Sequence, residues 1–410
     1  MLDIKFIREN TKFVKKATKD KGFDETVVAK LLVVDTERRK LIGITEEIRA
    51  KKNKLGRDDV KEGKQLKVEL KEVEEKLKTS EIEFNELMLK VPNITASDVK
   101  VGTEEDNEVI KKVGTPKEFP FNVKDHVDIG LLTDTIDLER GSKVAQSGFF
   151  YFKNDLVLLE LALELYSFEK LISKGFTPVI TPNVAKERNI VGCGFQARSD
   201  KERQIYHLEG EDLDLIATAE ITLMGLHTDE VLDSKKLPLK YVGLSSCYRK
   251  EIGSYGKDVR GILRVHEFKK VEMVVLCLPS ESEKIHEEML AIEEEIYQEL
   301  DIPYQVIKMA SGDLGNAASK KYDLEAWMPS QNKYREITST SNTTDFQSRR
   351  LNIKTKVDNE NVFVHSLNGT VITTSRTVIA ILENFQNEDG SVNIPTVLQK
   401  WMGKSKIQTK

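Results

Sequence analysis

Apolar residues in the first hundred positions recur at a spacing that suits a helix and not a strand. From about Lys30 to Leu89 the chain has no proline, few glycines and a dense mixture of Lys and Glu. Val34, Leu41, Ile48 and Leu55 fall one per heptad. After a polar break at Gly56-Arg57-Asp58-Asp59, a second series runs Leu66, Leu70, Val73, Leu77, Ser80, Phe84 and Leu87. Its steps alternate four and three, which puts every member on one helix face. Two such helices separated by a short break predict an antiparallel helical coiled-coil hairpin, each arm about 40 Å long at 1.5 Å per residue.

Beyond Pro92 the periodicity is lost. Gly102, Gly114, Pro116 and Pro120 punctuate a loop-like stretch,. The expected organisation is a helical arm over 1–100, a linker over 101–124 and a second domain over 125–410. In that domain, Asp155 to Ser173 predicts an apolar-rich helix ending at Gly175. Tyr241 to Arg249 and Lys269 to Cys277 predict two strands joined by a glycine-containing loop. Ser280 with Glu283 predicts a capping box opening a helix with Ile285, Met289, Ile292 and Ile296 on one side. Thr377 to Asn384 continues a late helix. Helices segregated from strands on short loops imply an antiparallel β-sheet, and the whole chain an α+β fold.

Composition narrows the class. At 410 residues, two domains are the better prior, and 39% hydrophobic residues suffice for a sizeable core,. The start, MLDIKFIREN, lacks the apolar stretch of a secretory signal, and no run approaches a membrane span,. Cys193, Cys247 and Cys277 are odd in number and widely spaced, so neither a disulfide framework nor a zinc site is indicated,. A cytoplasmic, non-membrane protein is expected. The net charge of -5 hides an uneven distribution. Between Arg49 and Lys71 lie nine basic residues and four acidic ones, giving +5 at the arm's tip. A solvated spacer or a dimerisation arm would also show heptads; the basic tip favours contact with a phosphate backbone.

Nucleotide signatures are mostly missing. No GxxxxGK[ST] occurs, and Gly192-Cys193-Gly194-Phe195-Gln196-Ala197 matches GxGxxA without a clean strand before it or a crossover helix after it,. The segment Ser246-Cys247-Tyr248-Arg249-Lys250-Glu251, a loop, then Arg260 through Glu272 is more informative. One strand would deliver Arg249 and Glu251 to one face; the returning strand would deliver Phe268 and Glu272. Arginine grips phosphate or carboxylate bidentately and an aromatic ring stacks a base. A surface hairpin with ordinary cross-strand ion pairs would have the same charges.

The pattern is not isolated. The RxE–loop–RVHEF–VE run resembles motif 2 of the class II aminoacyl-tRNA synthetases in its seryl form. Thr218-Ala219-Glu220, Gly312-Asp313-Leu314-Gly315, Tyr322-Asp323-Leu324-Glu325, Tyr334 to Ser339 and Ser341 to Arg350 follow in that family's order. Asn368-Gly369-Thr370 through Arg376 to Asn384 is similar to motif 3, and Leu171 to Pro182 to motif 1. The N-terminal hairpin resembles the family's tRNA-binding arm.

This resemblance to the seryl-tRNA synthetases of the zinc-free type implies a class II catalytic domain. It also implies ATP-dependent activation of L-serine and transfer to tRNA(Ser), with tRNA(Sec) as a further acceptor, by a homodimer. Thr218, Ala219, Glu220, Arg249, Glu272 and Thr370 would hold serine. Arg249, Lys250, Glu251, Val265, His266, Glu267, Phe268, Glu336, Ile337, Thr338, Ser339 and Arg376 would bind ATP. Glu336 and Ser339 would supply oxygen ligands to Mg²⁺, which prefers them. Lys51, Lys52, Lys54 and Arg57 would meet tRNA. Ser375 departs from the glycine common before the motif 3 arginine, and Val371-Ile372-Thr373-Thr374 from the usual small residues. Two rivals share parts of this pattern: a synthetase-like RNA-binding protein without catalysis, and a carrier-protein ligase, which typically lacks the arm.

Overall fold

A computed structural model describes residues 1–56, 59–195, 204–252 and 260–410. Arg57, Gln196 and Ala197, singled out above, lie outside the described residues. The chain divides into two compact units, Met1–Thr95 and Ala96–Lys410.

In the first unit, helices α1 (Ile4–Glu9) and α2 (Thr11–Asp20) precede two long helices, α3 (Thr26–Asn53) and α4 (Val60–Lys90). Every residue of the two heptad series is buried or half-buried, Leu41, Ile48, Leu66 and Ser80 fully so. Leu2, Ile7, Val14, Val27, Val28, Leu31, Met88 and Val91 pack a second apolar cluster at the base. Asp35 is completely buried within this unit, with Arg39 at 3.2 Å, Arg8 at 3.5 Å and Arg38 at 3.6 Å from its carboxylate. Arg38 also lies 4.3 Å from the centre of the Phe84 ring, so one guanidinium ties the charge to the α3–α4 seam,.

The second unit is built on an eight-stranded sheet. Its strands are β1 (Glu108–Val113), β2 (Thr177–Ile180), β3 (Leu239–Tyr248), β4 (Glu267–Cys277), β5 (Tyr304–Lys308), β6 (Lys320–Met328), β7 (Lys333–Asn342) and β8 (His365–Thr373), in the order β1-β5-β6-β7-β8-β4-β3-β2. All neighbours are antiparallel except β2, which runs parallel to β3 at the edge. Val271 and Met273 to Cys277 on β4 are buried on both faces, which accounts for their unbroken apolar run,. Helices α5 (Asp155–Ser173), α7 (Ser282–Glu299) and α9 (Thr374–Asn384) contribute Leu159, Leu163, Ile296, Tyr297, Val378 and Ile381 to the same core. Two short helices, α6 (Ala219–Gly225) and α8 (Phe346–Leu351), complete the parts that bear on the site.

Three local expectations differ from what forms. The stretch 101–124, expected as a linker, contributes β1, which pairs antiparallel with β5 at the sheet's edge, with a bulge between Val109 and Lys111. Its charged sequence, EVIKKV, hid a strand because an edge strand exposes most of its side chains,. The helix expected to open at Ser280 begins at Ser282: Pro279 starts a 3₁₀ turn, and Glu281 rather than Glu283 accepts the Leu278 amide at 3.3 Å,. The first hairpin strand stops at Tyr248, and Glu251 adopts a left-handed φ of 46°, so Arg249 and Glu251 do not alternate along one ladder,.

The Asp35 cluster makes a prediction. Asp35→Asn removes the counter-charge of three arginines and should cost about 2 kcal/mol. It would be read as a lower thermal midpoint for the helical unit by circular dichroism. An unchanged midpoint would show that water serves the arginines equally well.

Candidate active site

Thr218 caps α6: its Oγ1 accepts the Glu220 amide at 3.2 Å. The cap fixes Glu220 in the first helical turn with its carboxylate buried, while Ala219 packs inward toward Gly243,. Gln347 of α8 donates to Glu220 Oε1 at 2.5 Å and Asn368 of β8 at 2.8 Å. Gln347 is in turn oriented by Ser366, which donates to its Oε1 at 2.9 Å, and by Thr343 at 3.2 Å. Burial, with Glu272 nearby, pushes the Glu220 carboxyl up to about 7 against the pull of Gln347, Lys270 and Arg249,.

Across the same cavity, β4 presents Lys270 and Glu272 two residues apart. Lys270 Nζ lies 2.6 Å from Glu272 Oε2, and the Thr370 hydroxyl donates to that oxygen at 3.1 Å. The cavity measures about 300 Å³ and is lined by Thr218, Glu220, Arg249, Lys270, Glu272, Glu336, Ser339 and Thr370 among others. A narrower cleft of about 50 Å³ adjoins it, bounded by Arg249, Glu251, Val265, Phe268, Glu336, Ile337, Thr338, Ser375 and Arg376. Arg249, Lys270, Glu336 and Thr370 belong to both.

Arg249 is held at the junction by backbone pairing. Its amide donates to the His266 carbonyl at 3.0 Å, and His266 Nδ1 donates to the Arg249 carbonyl at 2.9 Å. Its guanidinium sits 5.2 Å from the centre of the Phe268 ring. On the far side, Arg376 Nη1 donates to the Glu336 carbonyl at 2.9 Å and to Glu336 Oε2 at 3.2 Å. Burial alone would raise the Glu336 carboxyl, but Arg376 and Lys321 outweigh it and hold it below the usual range. The Glu336 carboxylate and Ser339 hydroxyl face one cavity, and hard oxygen donors fit a magnesium ion that takes its remaining ligands from phosphates and water,. Among the described residues no group of three His, Cys, Asp or Glu side chains could hold a metal ion alone.

Behind these walls lies a carboxyl that the motifs did not single out. Glu293 of α7 is fully buried and accepts the Thr338 hydroxyl at 2.8 Å, so Thr338 turns away from the cleft at its tip. Burial drives the Glu293 carboxyl well above the ordinary range. A Cβ on Gly369 would come within 2.8 Å of Glu293 Oε1, which explains glycine at that point of β8.

Three of the expected ATP residues point elsewhere. His266 is latched to Arg249 and the Phe149 ring, Glu267 accepts the Tyr248 hydroxyl at 3.0 Å, and the Lys250 ammonium lies 5.6 Å from the Tyr206 ring. Lys270, Gln347 and Asn368 are the functional candidates that motif reading missed. Lys270 was detectable from its position two residues before Glu272 on one strand face. The departures in motif 3 have partners of their own: Thr373 donates to the Ile337 carbonyl and Thr374 to that of Lys269, both at 3.2 Å, while Val371 and Ile372 join the core. In the arm, Lys51, Lys52 and Lys54 are exposed.

Comparison with known proteins places this geometry. Residues 1–95 match the family profile of the seryl-tRNA synthetase N-terminal domain, and residues 204–385 that of the tRNA synthetase class II core domain (G, H, P, S and T). A serine–tRNA ligase of Dictyoglomus turgidum is 45% identical over 425 residues, covering 100% of both chains. One of Borrelia garinii subsp. bavariensis is 46% identical over 98% of both. The crystal structure of the Pyrococcus horikoshii seryl-tRNA synthetase complexed with ATP is similar at TM-score 0.93, with 40% identity and 100% of each chain covered. That of the Naegleria fowleri cytoplasmic enzyme with AMP gives 0.89 at 36%, covering 100% of this chain and 99% of the other.

A pH prediction follows from Glu220. Its carboxyl titrates near 4.5 when unfolded and near 7 in the ligand-free fold. Between those values the folded state holds the extra proton, so Glu220 costs stability increasingly as pH rises through that window and costs nothing below it. Glu220→Gln mimics the neutral form. It should melt higher than wild type at pH 8, by up to about 3 kcal/mol of stability, and alike at pH 4. Equal melting at both pH values would show that Glu220 carries no such penalty.

Proposed function

The chain belongs to the seryl-tRNA synthetase family of class II synthetases, and from that premise we propose that it activates L-serine with ATP and loads it onto tRNA(Ser). It is a serine–tRNA ligase. The observation that carries the chemistry is the position of Arg249, whose guanidinium faces both the cavity and the cleft.

Serine would occupy the cavity, its ammonium toward Glu220 and its hydroxyl toward Glu272 and Thr370. Adenine would enter the cleft against Phe268, with Arg376 on its other face and Glu251 near its amino group. Arg249 would then bridge the serine carboxylate and the α-phosphate. The carboxylate attacks the α-phosphorus in line, the bond to the bridging oxygen breaks, and pyrophosphate leaves. That step needs alignment and charge neutralisation more than a proton acceptor. Magnesium, when bound, would neutralise phosphate charge, with Glu336 and Ser339 as its protein ligands. Transfer to tRNA then moves the seryl group from the adenylate to a terminal hydroxyl.

The arm would hold tRNA through its basic tip, Lys51, Lys52 and Lys54 together with Arg57. Its salt-dependent contacts lie far along a rigid hairpin. Residues 1–95 would serve as this arm and 96–410, the unit that includes β1, as the catalytic domain. We also propose a homodimer. Helix α5 exposes Leu158, Leu161, Leu165 and Ile172 along one face, and Ile180 on β2 is 85% exposed, an apolar area of the kind that marks a protein interface. In such a dimer each tRNA would reach both subunits. Charging of tRNA(Sec) is a separate acceptor for the same chemistry. No helix among the described residues is long and apolar enough to cross a membrane. Three buried free cysteines fit a reducing, cytoplasmic setting,.

Three measurements test this reading. ATP–pyrophosphate exchange should occur with serine but not alanine, threonine or glycine, and Arg249→Ala should lower it by about 100-fold or more. Absence of exchange in folded wild type would favour a non-catalytic synthetase-like protein. Reversing the charge of Lys51, Lys52 and Lys54 together should reduce tRNA charging about tenfold at physiological salt and leave exchange intact; parallel loss of both would sink the arm assignment. Leu165→Glu should shift sedimentation from dimer to monomer, and a wild type that already sediments as a monomer would remove the dimer.

A further inference from the structure

We propose that Lys270 is the positioning residue that makes the cavity selective for a hydroxyl-bearing amino acid, by holding Glu272 and Thr370 in one directed hydrogen-bond chain. The inference rests on serine occupying that cavity.

The geometry is specific. Lys270 and Glu272 leave β4 on the same face, and their side chains are 7% and 2% exposed,. Lys270 Nζ reaches Glu272 Oε2 at 2.6 Å and Thr370 Oγ1 at 3.3 Å. An ammonium only donates, so it takes a lone pair of the Thr370 oxygen and leaves that hydroxyl's proton to point elsewhere. It points to Glu272 Oε2, at 3.1 Å. Glu272 Oε2 therefore receives two donors, both from the protein, and Oε1 is the oxygen left to a ligand. With the Thr370 proton committed, the free oxygen of Glu272 is the acceptor that this corner holds for a ligand hydroxyl. A ligand group that can donate is satisfied there; a methyl group would leave a buried carboxylate oxygen without its partner, which is the costly case.

Charge supports the same assignment. Glu220 and Glu272 line one cavity, and Glu220 is held by two amide donors, Gln347 and Asn368, with no ion pair to it among the described residues. Lys270 and Arg249 are the cations that line the cavity with Lys321, and Lys321 is paired to Asp323 at 3.2 Å. Arg249 lines both the cavity and the cleft. Lys270 is the cation paired with Glu272, at 2.6 Å. Removing it would leave two buried carboxylates competing for Arg249, which would draw that arginine away from its bridging position only if Glu272 moved.

Lys270 acts through Glu272 and Thr370, so its loss should appear in serine recognition rather than in ATP binding. The experiment is steady-state ATP–pyrophosphate exchange on the full chain, comparing wild type, Lys270→Met, Glu272→Gln and the double variant. In Lys270→Met the KM for serine should rise about tenfold or more and the preference for serine over alanine should fall by a similar factor, with the KM for ATP unchanged. Adding Glu272→Gln should deepen the defect by much less than it does in wild type, because both changes cut one chain. Lys270→Arg, which keeps the charge and donors, should recover part of the discrimination against alanine. If Lys270→Met does not fold, Lys270→Gln carries the same expectations. An unchanged ratio of serine to alanine, equal rises in both KM values, or fully multiplicative losses would overturn the proposal. Failure of wild type to exchange with serine would instead overturn the functional reading beneath it.

Discussion

Glu220 and Glu272 line one cavity that neither can leave, and burying two carboxylates together is costly unless each is given donors of its own. The surrounding unit is arranged around that requirement. Glu220 takes amide donors from α8 and β8, and Glu272 takes an ammonium from its own strand and a hydroxyl from β8. Glu293, one layer behind, is fully buried on α7 and is given the Thr338 hydroxyl. The strands therefore do more than form a floor: β4, β7 and β8 supply most of these donors, and α8 adds Gln347. A pocket able to recognise an ammonium and a hydroxyl is the same thing as a pocket with partly satisfied acids, and the free stability it gives up is returned when a ligand completes them.

The junction at Arg249 follows the same logic on the phosphate side. A guanidinium at the end of a hairpin would be mobile if the ladder simply stopped at Tyr248. Reciprocal bonds between Arg249 and His266 extend it by one pair, and His126 fixes the returning segment: its Nε2 accepts the Ile262 amide at 3.2 Å while Nδ1 donates to Glu383 Oε1 at the same distance. Gly261 is obliged there, with a φ of 68° and no room for a Cβ against His126. Several residues that carry the strongest motif signature are thus scaffolding for the one that faces the ligands.

Sequence reading reached the architecture where periodicity is strong and reached the site where residue order is distinctive. The heptads of α3 and α4 are visible because a seam of buried positions repeats over about six turns of each helix. The strand β1 was not, since an edge strand with exposed lysines has no alternation to detect. The helix start at Ser282 was misplaced by two residues because Ser280 and Glu283 have the right spacing for a capping box, but Pro279 had already committed the chain to a tighter turn. Within the site, Glu220, Arg249, Glu272, Glu336 and Arg376 were identifiable from motifs, whereas Gln347, Asn368 and Glu293 were not. Gln347 and Asn368 lie within quoted motifs, but the role of all three comes from what they touch in space: Glu220 for the first two and Thr338 for Glu293. Lys270 lies within the quoted motif, but its role rests on Thr370, a residue of another strand a hundred positions away.

The order of the strands also bears on how the protein is made. Strand β8, the last of the eight to be synthesised, sits between β7 and β4 near the middle of the sheet. Until it emerges, β2–β3–β4 and β1–β5–β6–β7 have open edges facing one another with no hydrogen bonds between them. Between the synthesis of β7, which ends at Asn342, and that of β8, which begins at His365, the two half-sheets lack the strand that joins them, and the step that joins them is the same step that delivers Asn368, Gly369 and Thr370 to the cavity. Closure of the sheet and completion of the cavity are one event, so a ribosome-bound or truncated chain lacking this strand can have neither.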